Sequence, residues 1–237
     1  MGKIWTVCSG SGGVGKTTIA LSIATGAAKT GKKTILLDAS GVSRSCDLLL
    51  GLESILTLDI QDVLCDQVSM NAALYPVPQH PNLHLACSSL YDQTPVSELS
   101  GMILALHSLC DILVVDMPTG QYSLGHGVMR EGDERLFVTR PDDASIRATE
   151  RMLVRARSLD RSTNSLVINR VSREGIKRKT QYAQSTVENL LDLPAIACIP
   201  EDAALVEYAY AERSIFKHRA PAWSALSALT KTLLSGT

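Results

Sequence analysis

The chain has 237 residues, 45% apolar and 20% charged, with 23 Lys/Arg against 24 Asp/Glu for a formal net charge of −1. That balance is ordinary for a soluble globular protein and excludes a disordered polyelectrolyte or a generally basic nucleic-acid binder. No apolar run approaches the ~20 residues of a membrane span, and Met1-Gly-Lys3 leads straight into a strand with no signal-peptide h-region. The six cysteines (Cys8, Cys46, Cys65, Cys87, Cys110 and Cys198) form no C-x-x-C pair. They mostly sit in apolar surroundings, as small buried hydrophobes in a reducing cytosol would, and suggest neither zinc ligands nor a disulfide framework.

The first predicted strand is Ile4–Cys8. Gly10-Ser-Gly-Gly-Val-Gly-Lys-Thr17 follows, fitting G-x-x-x-x-G-K-[ST], and an amphipathic helical pattern comes next. In that strand–loop–helix setting the backbone amides of Gly10, Ser11, Gly12, Gly13, Val14 and Gly15 can encircle phosphate oxygens. Lys16 would reach the β- and γ-phosphates and Thr17 would place a hydroxyl on Mg²⁺, with Thr18 beside it. The second strand, Thr34–Leu37, ends in a carboxylate, Asp38. Pro76-Val-Pro78 and His80-Pro81 mark a loop before the strand Leu83–Cys87. The strand Ile112–Val115 ends in Asp116, a Walker B pattern whose carboxylate would hold Mg²⁺ through water at the sheet's carboxyl edge. Met117-Pro-Thr-Gly120 follows, where an exposed Gly120 amide can sense a γ-phosphate.

Further strands are read at Leu136–Thr139, Ser165–Ile168 and Ala195–Ile199. Continuous rather than alternating apolar strands imply burial on both faces. Their alternation with helix-length segments predicts a three-layer α/β/α fold with a mostly parallel, doubly wound sheet, the P-loop NTPase class. Residues 1–237 read as a single domain, because no polar, Pro/Gly-rich break divides them.

Residues 130–180 hold 13 Lys/Arg and 8 Asp/Glu, a local +5 that leaves −6 elsewhere. Arg147, Arg151 and Arg155 fall at i, i+4 and i+8 of a predicted helix. This stripe reads either as a solvated helix face, partnered by residues such as Glu150, or as a weak non-specific DNA contact. In the last helix Ala222, Leu226, Leu229 and Leu233 make a narrow stripe with Lys231 as its one charge. That pattern predicts a core helix rather than a C-terminal membrane anchor, since interfacial helices carry a cationic face. Trp223 is expected to fill the core. The five histidines are scattered singly and suggest no metal cluster.

Taken together, these segments resemble the MinD/ParA family of P-loop ATPases nearly end to end. Ser9–Thr18 resembles its K-G-G-V-G-K-T-T loop. Asp38 to Arg44 with Asp47–Glu53 resembles switch I and the helix after it, and Val114–Gly120 resembles switch II. Phe137–Arg147, Val167–Arg170 and Ile199–Asp202 resemble the later strands. The resemblance implies Mg²⁺ and ATP, with Asn169 and Arg170 on the adenine side and Pro200 and Asp202 in the segment that packs on the base. It also implies an ATP-dependent homodimer, a cytoplasmic location and a protein partner at the switch regions.

Two positions depart from the family pattern. The family's signature lysine, which reaches across the dimer to the partner's phosphates, is here Ser11, which can donate one hydrogen bond but carries no charge. The family's D-x-D in switch I reads Asp38-Ala-Ser40, with one carboxylate missing. The implied function is a positioning or assembly switch with slow or partner-dependent hydrolysis. An accessory ATPase that loads metal or cofactor is an alternative, although the paired cysteines of such relatives are absent. A degenerate, non-hydrolysing regulator is another.

Overall fold

The computed structural model describes residues 2–40, 45–88, 96–119, 122–159, 162–205 and 221–236. Its strands are β1 (Lys3–Cys8), β2 (Thr34–Asp38), β3 (Tyr75–Val77), β4 (His80–Cys87), β5 (Ile112–Asp116), β6 (Glu134–Thr139), β7 (Thr163–Val171) and β8 (Ala195–Pro200). The helices among the described residues are α1 (Lys16–Lys29), α2 (Cys46–Leu50), α3 (Ile60–Leu64), α4 (Val96–His107), α5 (Tyr122–Glu131), α6 (Asp143–Ala156), α7 (Arg173–Lys177), α8 (Gln184–Leu191) and α9 (Pro221–Ser235).

The strands form one sheet in the order β3-β4-β2-β5-β1-β6-β7-β8. All neighbours are parallel except β3 and β4. Alternate residues of the central strands feed two cores, one on each face. Trp5, Val7, Leu36 and Val114 pack under α1 and α9. Ile4, Cys8, Leu37 and Val115 pack with side chains of α4, α5, α6 and α8. This is the expected three-layer arrangement, and it explains why the strands read as unbroken apolar runs.

The Pro76–Pro81 stretch differs from its reading as a loop. It holds an antiparallel edge hairpin in which Tyr75 pairs with Leu85 and Pro76 with His84, with a register shift before Val77. Proline is compatible with an edge strand because its missing N–H is needed by no neighbour.

α1 begins after Gly15, at φ +91°, and ends at Thr30, whose hydroxyl and amide both donate to the Ala27 carbonyl. Its Gly26 lies against α9 so closely that a Cβ there would sit 2.8 Å from the Thr230 side chain. Ala222, Leu226, Leu229 and Leu233 of α9 are all buried in this contact layer, which makes α9 a core helix, as expected. Trp223 only borders the core; it lies half-buried, with the Lys29 ammonium 5.6 Å from its ring.

One buried cation was not legible in the sequence. Arg135, on β6, is fully enclosed. Its Nε donates to the Met129 carbonyl at 2.8 Å, and Nη1 donates to the carbonyls of Ala156 and Leu159 at 3.2 and 3.4 Å. It thereby serves the carbonyl-rich ends of α5 and α6, where a positive charge is favoured.

Candidate phosphate-binding site

β1, β2 and β5 end together at the carboxyl edge of the sheet. Val7 is in register with Asp116, and Asp116 with Asp38. The loop from Gly10 to Gly15 rises from this edge and turns into α1. Gly10 is pressed onto α6, where a Cβ would lie 2.2 Å from the Ala148 carbonyl. Gly13 has φ +70°, and Gly12 and Gly13 face open space. α1 has no side-chain cap, so its first amides remain available to an anion.

Lys16 and Thr17 open α1, and both point at Asp116. The Lys16 ammonium lies 2.7 Å from Asp116 Oδ1, with both groups buried. The Thr17 hydroxyl donates to Asp116 Oδ2 at 2.6 Å. Burial pushes the Asp116 carboxyl above the usual carboxylate range, Lys16 pulls it back, and Asp38 pushes it up again. Asp38 is fully buried beside it and is itself engaged. Its Oδ1 accepts from the Ser40 amide and hydroxyl, and its Oδ2 accepts from the Cys46 amide at 3.0 Å. Ser40 stands where a second switch I carboxylate was expected, and its hydroxyl donates to the carboxylate that remains.

Ligand atoms of Asp38, Asp116 and Cys46 lie within 4.8 Å of one another. The Cys46 thiol is held well above its ordinary pKa, by burial first and then by the two carboxylates. Two carboxylates and the Thr17 hydroxyl form a hard, oxygen-rich donor set that fits Mg²⁺ better than a thiolate-seeking metal. Among the described residues no histidine joins this cluster.

A cavity of about 420 Å³ opens above the loop, bordered by Ser11, Gly13, Lys16, Thr17, Ser40 and Arg170. Ser11 Oγ is buried there without a hydrogen-bond partner among the described residues. The Asn169 side chain reaches the loop itself, donating from Nδ2 to the Val14 carbonyl at 2.7 Å. A Cβ on Gly15 would lie 2.2 Å from that nitrogen. Asn169 therefore clamps the loop, a contact that the sequence did not suggest. Arg170, expected in the adenine-side segment, is among the residues that line the cavity over the loop. Pro200 pairs with Val171, and Asp202 accepts from the amides of Ala204 and Ala222, tying the end of β8 to the start of α9. Gly120 and Arg44 lie outside the described residues. Arg147, Arg151 and Arg155 are exposed on one face of α6, near the equally exposed Glu150.

A glycine loop between a parallel strand and a helix, with Lys16, Thr17 and a strand-end Asp116 in mutual contact, defines a P-loop nucleotide-binding protein. Residues 5–215 match the CobQ/CobB/MinD/ParA nucleotide binding domain family. The chain is 30% identical over 209 residues to the septum site-determining protein MinD of Synechocystis sp., covering 87% of this chain and 79% of that protein. It is 28% identical over 218 residues to the MinD of Escherichia coli, covering 87% and 81%. Its fold superposes on the MinD cell division protein of Aquifex aeolicus with a TM-score of 0.89 at 28% identity, over 99% and 98% of the two chains. A MinC:MinD cell division protein complex from the same organism matches with a TM-score of 0.90 at 28% identity, over 99% and 96%. The chain belongs to the MinD/ParA family of P-loop ATPases.

Proposed function

We propose that this protein is a cytoplasmic, Mg–ATP-dependent switch of the MinD/ParA type that acts in positioning or assembly and hydrolyses ATP slowly or only with a partner. Residues 1–237 act as one domain. The observation that carries this reading is the pairing of a complete phosphate cradle with the loss of its charged accessory, Lys16 and Thr17 beside Ser11.

In this reading, Lys16 and Thr17 would leave Asp116, Lys16 to donate to phosphate oxygens and Thr17 to help hold Mg²⁺. Asp116 and Asp38 with Thr17 would hold Mg²⁺, which neutralises charge on the phosphates when bound. Asn169 keeps the loop in register with β7 while this exchange occurs. Hydrolysis forms ADP and phosphate by attack of water on the terminal phosphorus. A carboxylate that orients that water must offer it a lone pair, and three of the roughly four acceptor sites of Asp38 already serve Ser40 and Cys46. Ser11 brings no cation, and a lysine or arginine of this kind is worth about 10³–10⁵ in rate in related phosphoryl transfers. Both features favour slow turnover. ATP would then act by changing self-association and the hold on a protein partner at residues 38–47 and at the segment after Asp116. A weak non-specific DNA contact through Arg147, Arg151 and Arg155 belongs to the same reading.

Ser11 and Ser40 also favour a second reading, a regulator that binds nucleotide without hydrolysing it. Three measurements test these readings. Mg–ATP at a hundred times its dissociation constant adds about 2.7 kcal/mol, or about 5–11 °C of melting temperature for a chain of this length; no shift overturns nucleotide binding. Size-exclusion with ATP against ADP shows a change of association state for a switch and none for a structural ligand. Partner-free turnover on the order of 1 s⁻¹, the ordinary kinase range, overturns the slow-switch reading.

A further inference from the structure

We infer that Arg170 is a phosphate-binding residue that supplies, from within the same chain, the second cation that Ser11 does not; this rests on the nucleotide-binding reading above. Four observations converge on it. First, Arg170 is among the residues that line the cavity over the loop, where Lys16 is the other cationic residue. Lys16 already has a carboxylate on it at 2.7 Å, whereas among the described residues the Arg170 guanidinium has no carboxylate partner.

Second, Arg170 lies within a strand at φ +57°. A non-glycine residue in the left-handed region inside a strand is costly and persists only where surrounding contacts impose it. Third, those contacts are present on both sides. Asn169 is fixed to the Val14 carbonyl. The Arg170 carbonyl accepts from Gln181 Nε2 at 3.0 Å, and Gln181 Oε1 accepts from the Ser172 amide at 2.7 Å. The ladder to β8 is irregular at this point, with register shifting between Ile168 and Val171. Bulges of this kind re-aim a side chain beside a site.

Fourth, Ser11 Oγ is buried in the same cavity with no acceptor or donor among the described residues. A neutral residue and a cationic residue without a carboxylate partner thus line one cavity of about 420 Å³ beside the loop. A guanidinium fork suits phosphate oxygens, since it can donate to two of them at once. The backbone conformation fixes where the fork begins, so less freedom is lost when it binds.

Arg170→Gly is the informative variant, because glycine accepts the left-handed backbone and removes only the side chain. Binding of a fluorescent ATP analogue, and its displacement by inorganic tripolyphosphate, would be measured with Mg²⁺ in wild type, R170G and R170K. The expected result is a loss of about 10- to 100-fold for both ligands in R170G, the size of one charge-assisted contact. R170K, which keeps the charge but not the two-pronged fork, should fall between wild type and R170G, and R170G should melt no lower than wild type. An R170G protein that binds tripolyphosphate as wild type does, while wild type binds both ligands, overturns the assignment alone and leaves the ATP site standing. The same holds if R170K binds as poorly as R170G. Wild type that binds neither ligand overturns the nucleotide-binding reading itself.

Discussion

Replacing Lys16 with methionine in the nucleotide-free protein keeps the apolar stem and removes the ammonium. The structure makes this a severe change. Lys16 and Asp116 are 6% and 0% exposed, and their charges meet at 2.7 Å. Breaking such a pair leaves one charge buried without a counterion, at a cost of about 3–5 kcal/mol. For a chain of this length that is a fall of about 6–20 °C in melting temperature. The loss should depend on pH in a defined direction. Asp116 already lies above its ordinary 3.8 through burial, opposed by Lys16 and reinforced by Asp38. Without Lys16 the two upward influences are opposed only by the Thr17 hydroxyl. The folded state then holds the proton over a range where the unfolded chain has released it, so stability falls as pH rises through that range. Below about pH 3.8 both states carry the proton and the penalty vanishes. Differential scanning fluorimetry of K16M against wild type, from about pH 4 to 8, should show a gap that widens with pH. K16M/D116N, which has no orphaned charge, should recover part of the loss. A K16M protein melting within about 2 °C of wild type at every pH would refute the reasoning.

Other substitutions separate the loop's parts. Gly10→Ala should disturb α6 and cost more than about 1 kcal/mol, since its Cβ would overlap the Ala148 carbonyl. Gly12→Ala meets nothing within 4 Å and should stay within about 0.5 kcal/mol of wild type by chemical denaturation. Asn169→Ala strips the buried Val14 carbonyl of its donor; a loss of about 1–3 kcal/mol is expected, with weakened nucleotide binding in the same titration. Arg135→Met should cost about as much per carbonyl left unserved, without changing nucleotide affinity in the correctly folded fraction.

What could be read from the sequence follows the range of each interaction. The cradle was legible because Gly10 to Thr17 are consecutive and their chemistry is local. Asp38 and Asp116 were legible because each ends an apolar strand, and a parallel sheet brings such ends together. The reading of Pro76–Pro81 as a loop missed the edge hairpin because proline is a strong breaker everywhere except at an edge, and edge position is a property of the whole sheet. The clamp from Asn169 to Val14 spans 155 positions, and nothing near Asn169 points to a carbonyl in the loop. Arg135 gave no signal either, because its acceptors come from two helices that only the fold brings to one place. The positive φ of Arg170 follows from the β7–β8 irregularity and Gln181, whereas left-handed residues are ordinarily read from Gly or Asn.

Arg135 has a mechanical meaning beyond its hydrogen bonds. It fastens the carbonyl ends of α5 and α6 to a single rigid point on β6, at the edge of the sheet remote from the phosphate loop. Sliding either helix along its axis would break those bonds, whereas tilting about the anchored end would not. α5 has ten residues and so spans about 15 Å. A tilt of about 4° around this fulcrum carries its far end, beside the segment after Asp116, by about 1 Å. A push at the phosphate edge that tilted α5 would therefore act about this anchored end.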